Sequence, residues 1–228
     1  MNKIILALDT TNLEEAINIT KKIKHKIFTV KIGLEFFNAN GKEGIKKFNK
    51  LGINNLMLDL KLKDIPETVY KAIKALDDIE FGFLTIHGQG GKLMIERAKK
   101  AASEIKSKPS IMMVTILTAL DDKDLKDMGI DNTVGKQVEK LAKIAKNTNV
   151  GVVCSGHEAK IVRKIIGNEL LIFTPGIRMD SENSDDQKRI CTPIESIKNG
   201  SDKIIMGRSL INGNIDENID KVLDSIKK

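Results

Sequence analysis

Short apolar runs alternate with stripes of apolar residues at helical spacing along this sequence. Eight runs have the length and near-continuous hydrophobicity of parallel strands that are buried on both faces. They cover residues 3–9, 27–33, 55–61, 82–88, 110–117, 150–155, 170–176 and 202–207. Between them lie helical stripes such as Leu13, Ala16, Ile17, Ile19 and Ile23; Val69, Ala72, Ile73 and Leu76; and Val138, Leu141, Ala142 and Ala145.

Eight strand–helix units at nearly even spacing predict an α/β fold, a (β/α)8 TIM barrel. A doubly wound open sheet alternates in the same way. The even spacing and the absence of a linker or a composition break favour the barrel, as a single domain over residues 1–228.

Composition and charge narrow the classes of protein further. The net charge is +7, but the lysines are spread over many helical segments, and one Tyr and no Trp are present to stack bases. We therefore expect no nucleic-acid partner, and we interpret the charge as a solvated surface that also favours a small anionic substrate.

No apolar run approaches the roughly 18 residues of a membrane span. Two cysteines, Cys154 and Cys191, do not make a disulfide framework, so we predict reduced thiols and a cytoplasmic protein with no membrane association.

Polar residues gather at the predicted carboxyl ends of the strands, where barrels of this class carry their active sites. These residues are Asp9, Lys31, Asp59, Lys61, His87, Thr118, Arg178, Gly207 and Arg208.

The stretch "LDLKLKDIPETV", residues 58–69, places opposite charges on one face of a strand. Asp59 and Lys61 are two residues apart, so they share a face, and two charges in a barrel interior must be paired. A structural ion pair and a catalytic pair are both open on this geometry. Asp9 and Lys31 at neighbouring strand ends, with Asp64 close by, favour catalysis, because a lysine among carboxylates keeps a proton to donate.

Two further features follow the last predicted strands. The first suits a phosphate group, and the second, taken alone, is most often a solvated loop. "IIMGRS", residues 204–209, presents a glycine N–H and the Arg208 guanidinium after the last strand. The polar segment 176–192 is longer than an ordinary connection and is a candidate mobile lid, with Arg178 at its start and Gln187 and Arg189 near its end.

Other chemistries find little support. The three histidines are far apart without metal-ligand spacing, and neither cysteine has a histidine partner. We interpret His87 as a satisfied structural histidine. Glycine fingerprints for dinucleotides and the Walker pattern are missing. The sequence therefore predicts no metal site.

Over nearly its whole length the sequence resembles the orotidine 5′-monophosphate decarboxylases, the last enzymes of UMP synthesis. The matching pieces, in order, are "LALD" (6–9), "KIGLEFF" (31–37), "LDLKLKDIPETV" (58–69), "TIHGQGG" (85–91), "VTILTAL" (114–120), "VVCSGHEA" (152–159), "TPGIR" (174–178), "DQKR" (186–189) and "MGRSL" (206–210).

The resemblance implies roles for individual residues. It makes Lys61 the proton donor and Lys31, Asp59 and Asp64 its charged partners, with Asp64 supplied by the other subunit of a homodimer that shares its active sites. Ribose contacts fall on Asp9, Lys31 and, across the dimer, Thr68; the pyrimidine contact falls on Thr118. Phosphate contacts fall on Gln187, Gly207 and Arg208, with Arg178 beside them. The family uses neither metal nor cofactor.

The chain departs from bacterial relatives at Lys63 and Glu67, where His and Asn are usual. Two other functions stay open. The magnesium-dependent sugar-phosphate decarboxylases and hexulose-phosphate synthases of the same superfamily resemble the chain less, because they typically carry a glutamate at the position of Lys31. A non-catalytic nucleotide-binding barrel would keep the phosphate residues without needing the alternating charges.

Overall fold

A computed structural model describes residues 2–179 and 189–227. Its eight strands follow one another in chain order around a closed barrel, so the predicted (β/α)8 fold is confirmed. The strands are Ile4–Leu8 (β1), Thr29–Ile32 (β2), Met57–Leu62 (β3), Phe83–His87 (β4), Ser110–Val114 (β5), Gly151–Val153 (β6), Ile172–Thr174 (β7) and Lys203–Met206 (β8).

Helices follow the strands in alternation. They are Leu13–Ile23 (α1), Leu34–Lys50 (α2), Pro66–Lys74 (α3), Gly91–Glu104 (α4), Asp122–Asp127 (α5), Val134–Thr148 (α6), Ala159–Ile166 (α7), Pro193–Lys198 (α8), Arg208–Ile211 (α9) and Ile215–Ser225 (α10). α2 is interrupted at Gly41, which has non-helical backbone angles. A short 3-10 turn, Gly88–Gly90, precedes α4.

The apolar pattern located these elements well. Every observed strand overlaps the run predicted for it. The three stripes fall on α1, α3 and α6, except for Leu76, which follows the end of α3. The side chains of the third stripe, on α6, are all buried. Local chemistry sets several helix starts: Asn12 caps α1, Pro66 begins α3, and Thr192 and Glu195 form a capping box at α8.

The chain divides into two compact units, Met1–Met112 and Met113–Lys228. The single-domain organisation of residues 1–228 stays a prediction. None of the described helices is long and apolar enough to span a membrane.

In the first unit, β1 to β4 are parallel and in a regular register. Leu8 pairs with Ile32, Ile32 with Leu58, and Leu58 with Leu84. All four are fully buried. This row of core residues brings the carboxyl ends of the four strands to one edge, where the polar residues that follow can meet.

In the second unit, β6, β7 and β8 are parallel, with Phe173 paired to both Val153 and Lys203. The predicted lid begins and ends there. Ile177 and Cys191 form an isolated bridge, and the N–H of Cys191 donates to the carbonyl of Gly176 at 3.0 Å. Residues 180–188, the centre of that segment, lie outside the described residues.

Candidate active site

Four side chains in the first unit form a cluster of alternating charge, which we call the charged cluster: Asp9, Lys31, Asp59 and Lys61. The Nζ atom of Lys31 lies 3.3 Å from Oδ1 of Asp9 and 3.3 Å from Oδ2 of Asp59. The Nζ atom of Lys61 lies 2.8 Å from the same Oδ2 of Asp59. Two cations and two anions therefore alternate from the end of β1 to the end of β3.

The cluster is buried at its centre and open at both ends. The side chains of Lys31 and Asp59 are 11% and 10% exposed, whereas those of Lys61 and Asp9 are 31% and 58% exposed. Buried charges are tolerated only when they are paired. The open ends leave Lys61 and Asp9 accessible to a ligand.

A glycine makes room for the central lysine. Gly33 lies two residues beyond Lys31, and so on the same face of the chain. Continuing the strand register by one residue beyond Ile32 places Gly33 level with Asp9 and Asp59. A Cβ atom at Gly33 would come within 3.2 Å of Oδ1 of Asp9 and 3.3 Å of Nζ of Lys31. The missing side chain therefore leaves the space in which Lys31 meets both carboxylates.

Electrostatics fix the protonation of the two buried members. Burial alone would lower the pKa of Lys31, but the attraction of Asp59 and Asp9 outweighs it and raises that pKa. Burial alone would raise the pKa of Asp59. Lys31 and Lys61, with hydrogen bonds from Lys61 and Thr85, outweigh burial and hold the Asp59 pKa below its ordinary range. At neutral pH both groups are charged.

A bulge in β3 presents Lys61. Leu58 pairs with Leu84 and Leu62 with Ile86, so four residue steps on β3 match two on β4. Lys61 lies within the bulge with a φ of 47°, in the left-handed region. Such a conformation costs a lysine about 1–3 kcal/mol and persists only where neighbouring contacts enforce it. Simple alternation along a flat strand predicted the pairing of Asp59 with Lys61 but not this distortion.

Asp64 and Thr68 do not join the charged cluster. Both are exposed. The Oδ1 atom of Asp64 accepts a hydrogen bond from the N–H of Ile65 at 2.7 Å, which places it beside the start of α3. Their predicted roles in the site stay predictions.

The second unit carries the residues predicted to bind pyrimidine and phosphate. Thr118 and Arg178 are buried, with 8% and 9% of their surface exposed. Gly207 precedes α9, and Arg208, its first residue, is exposed. Gln187 lies outside the described residues.

Comparison with known proteins decides the family. A protein-family model described as the orotidine 5′-phosphate decarboxylase / HUMPS family matches residues 2–218. The chain belongs to this family. A curated orotidine 5′-phosphate decarboxylase from Buchnera aphidicola subsp. Schizaphis graminum is 41% identical over 209 residues, which are 91% of this chain and 88% of that protein.

Two further relatives cover almost the whole chain. One is the orotidine 5′-phosphate decarboxylase of Ehrlichia canis, 40% identical over 99% of this chain and 98% of its own length. The other is the crystal structure of orotidine 5′-phosphate decarboxylase from Lactobacillus acidophilus, with a TM-score of 0.83, 32% identity and full coverage of both chains. The family predicted from the motifs is therefore confirmed.

The structure shows the surroundings of Glu67 and Lys63, the two positions at which the chain departs from bacterial family members. Glu67 forms an ion pair with Arg97 of α4, and the Arg97 guanidinium stacks over the Tyr70 ring at 4.1 Å from its centroid. Lys63 is exposed.

Burial lowers the pKa of His87, and the charges of Lys61 and Lys63 lower it further. The buried Nδ1 of His87 has no hydrogen-bond partner in the described part of the chain, so our interpretation of a satisfied histidine was wrong.

Two residues of the site were missed from the sequence. A glycine after a strand is common, and the importance of Gly33 depends on where Asp9 and Lys31 lie in space. Thr85, fully buried in β4, contacts both Asp59 and Lys61. The only sequence signal was a hydroxyl residue in an otherwise apolar strand run.

Proposed function

We propose that the protein decarboxylates orotidine 5′-monophosphate to UMP without a metal ion or cofactor, with Lys61 as the proton donor. The observation that carries this proposal is the charged cluster. An ammonium group is held against a buried carboxylate at the carboxyl edge of the strands, and its outer side remains accessible. That arrangement suits a reaction that develops negative charge and then needs a proton.

The reaction breaks the bond between ring carbon 6 and the carboxylate carbon of the substrate. Carbon dioxide leaves, and the bonding electron pair stays on carbon 6. The Lys61 ammonium stabilises this charge and transfers a proton to it, which gives UMP, and Lys61 is reprotonated from solvent. Preorganised charge of this kind is the largest single contribution in many enzymes.

Asp59 acts chiefly by holding Lys61. A substrate carboxylate about 4 Å from Asp59, at an effective dielectric constant of about 20, would be destabilised by roughly 4 kcal/mol, or about three powers of ten in rate. Asp59, however, already faces two ammonium groups, at 3.3 Å and 2.8 Å. They offset its charge, so repulsion contributes less than that figure.

The remaining predicted residues bind the rest of the substrate in this proposal. Asp9 and Lys31 bind the ribose, and Thr118 binds the pyrimidine. Arg178, Gln187, Gly207 and Arg208 bind the phosphate. Energy from these remote contacts is used to orient the reacting carbon.

The protein acts as a homodimer in which Asp64 and Thr68 complete the partner's site. Asp64 is exposed on its own subunit and points toward the start of α3. Three large apolar residues, Leu34, Ile65 and Leu93, are 51%, 67% and 63% exposed. They follow three neighbouring parallel strands, at the edge that carries the charged cluster. An apolar surface there supports an interface beside the site.

We further propose that residues 1–228 work as one domain, in the cytoplasm.

The test is loss of the orotidine 5′-monophosphate absorbance with purified protein and excess EDTA. We expect turnover to be unchanged by EDTA. Turnover of orotidine 5′-monophosphate that is lost with EDTA and restored only by magnesium would contradict the metal-independent mechanism. Nucleotide binding without turnover, with and without magnesium, would favour a binding protein. Either outcome overturns the proposal.

A further inference from the structure

We propose that Thr85 is a positioning residue that holds both Asp59 and Lys61 in their working geometry. The kinetic part of this inference rests on the proposed function. The structural part does not, because it concerns contacts between residues of the first unit.

The Thr85 hydroxyl joins the two charged residues through different atoms. Its Oγ1 donates a hydrogen bond to Oδ1 of Asp59 at 2.9 Å. The same Oγ1 accepts a hydrogen bond from the backbone N–H of Lys61 at 2.9 Å. A hydroxyl has one proton to donate and lone pairs to accept. Thr85 therefore donates its single hydroxyl proton to the Asp59 carboxylate and uses a lone pair to accept from the Lys61 N–H in the bulge.

The donated bond sets the rotation of the Asp59 carboxylate. Oδ1 receives the Thr85 hydroxyl, while Oδ2 receives the ammonium groups of Lys61 and Lys31. Holding Oδ1 against β4 keeps Oδ2 turned toward both lysines. Rotation of this carboxylate would lengthen both ion pairs at once.

The accepted bond holds the strained backbone of Lys61. A β-bulge leaves ladder groups without their usual partners, and the N–H of Lys61 finds its acceptor on the Thr85 side chain instead. Lys61 is in the left-handed region, with a φ of 47°. Thr85 is fully buried, at 0% exposure, so bulk water cannot easily replace its hydroxyl. The same group that orients Asp59 thus fixes the backbone from which the Lys61 side chain extends.

The main variant is Thr85→Val, which keeps the shape of the side chain and removes the hydroxyl. The matched control is Thr20→Val. Thr20 is also fully buried in the first unit, but its hydroxyl donates to the carbonyl of Ala16 within α1. Thr85→Ser keeps the hydroxyl and should restore function.

Two measurements separate positioning from a general loss of stability. In the first, NMR-detected hydrogen exchange of the Lys61 amide should be at least tenfold faster in Thr85→Val than in the wild type, and unchanged in Thr20→Val and Thr85→Ser. In the second, kcat for decarboxylation should fall about ten- to hundredfold in Thr85→Val, while the affinity for UMP stays within about threefold. Thr85→Ser should recover most of kcat.

Unchanged Lys61 exchange, or a kcat within twofold of the wild type in Thr85→Val, overturns the inference. If Thr85→Val does not fold, the pair Thr85→Ser and Thr85→Ala isolates the hydroxyl, because both lack the methyl group, and the same differences are expected between them. A wild-type protein without turnover would refute the proposed function instead. The exchange measurement would still decide whether Thr85 holds Lys61.

Discussion

The Nζ atom of Lys61 lies 2.8 Å from Oδ2 of Asp59. Both residues lie in the stretch of β3 between Leu58 and Leu62 where the register with β4 shifts, and Asp59 in turn contacts Lys31. A change to any member therefore alters the charge balance of a buried site.

Replacing Lys61 with alanine should reduce kcat for orotidine 5′-monophosphate by at least about a hundredfold, because a positioned general acid contributes about 10²–10⁴-fold. UMP binding, measured by calorimetry, should change by less than about tenfold, because the phosphate site supplies much of the affinity. Lys100→Ala is the control. Lys100 is exposed on α4, and its Nζ lies 4.0 Å from Glu104, which is a weak ion pair. Both kcat and UMP affinity should therefore stay at the wild-type level. Near-normal turnover in Lys61→Ala would refute the proton-donor assignment.

Replacing Gly33 with alanine should disturb the centre of the charged cluster. The new Cβ would lie 3.2 Å from Asp9 and 3.3 Å from Lys31, so Lys31 must move. We expect kcat/KM to fall about tenfold, and the free energy of unfolding to fall by about 1 kcal/mol.

Gly135→Ala is the matched control, since a Cβ at Gly135 meets no atom within 4 Å. Gly135 lies in α6, where alanine should leave stability unchanged or raise it by up to about 1 kcal/mol. An equal loss of activity in both variants would show that the space at Gly33 has no special role.

The stability of the protein should depend on pH through Asp59. The pKa of Asp59 is lower in the folded protein than its ordinary value. The contribution of Asp59 to the free energy of unfolding is therefore fully present at pH values above the ordinary carboxyl pKa. It is lost as the pH falls through the lower pKa of the folded state. Urea unfolding at several pH values should show Asp59→Asn to be about 3 kcal/mol less stable at pH 7. The difference should shrink on acidification.

Asp224→Asn is the control for that series. Its side chain is 70% exposed and pairs with Lys227 three residues away, so stability should stay within about 0.5 kcal/mol of the wild type at each pH. A gap between wild type and Asp59→Asn that stays constant down to pH 2 would contradict the linkage.

The shared site of the proposed dimer can be tested by complementation. Lys61→Ala and Asp64→Ala homodimers should each be nearly inactive. Refolded together, they should form hybrids with one intact site, built from Lys61 of one chain and Asp64 of the other. Random mixing makes about half of the dimers hybrid, so activity should reach roughly a quarter of wild type. Confirmed hybrids without activity would place Asp64 in the site of its own subunit.

Arg208→Ala should weaken substrate binding and also lower kcat at saturation, because phosphate contacts are used to orient the reacting carbon. Orotidine without the phosphate should react slowly with the wild type and be nearly indifferent to the substitution. Steady-state kinetics on both substrates supply the comparison. A large effect on the nucleoside reaction would assign Arg208 a structural role.

Sequence and tertiary structure determined different parts of this site. The period of apolar residues located all eight strands, because burial on both faces requires continuous apolar runs. Parallel strands in a barrel bring their carboxyl ends to one edge. Their proximity could therefore be predicted from the sequence alone for four residues at strand ends: Asp9, Lys31, Asp59 and Lys61. The ordered motifs then determined the family.

Only the tertiary structure revealed Thr85, Gly33 and the bulge at Lys61. Each depends on the register between neighbouring strands: Leu62 pairs with Ile86 although Leu58 pairs with Leu84, and this mismatch brings the N–H of Lys61 to the Thr85 hydroxyl. Gly33 matters because two strands place Asp9 and Lys31 around the space it leaves. Periodicity along one strand carries no information about the register of the next, so these contacts became visible only once the strands were paired.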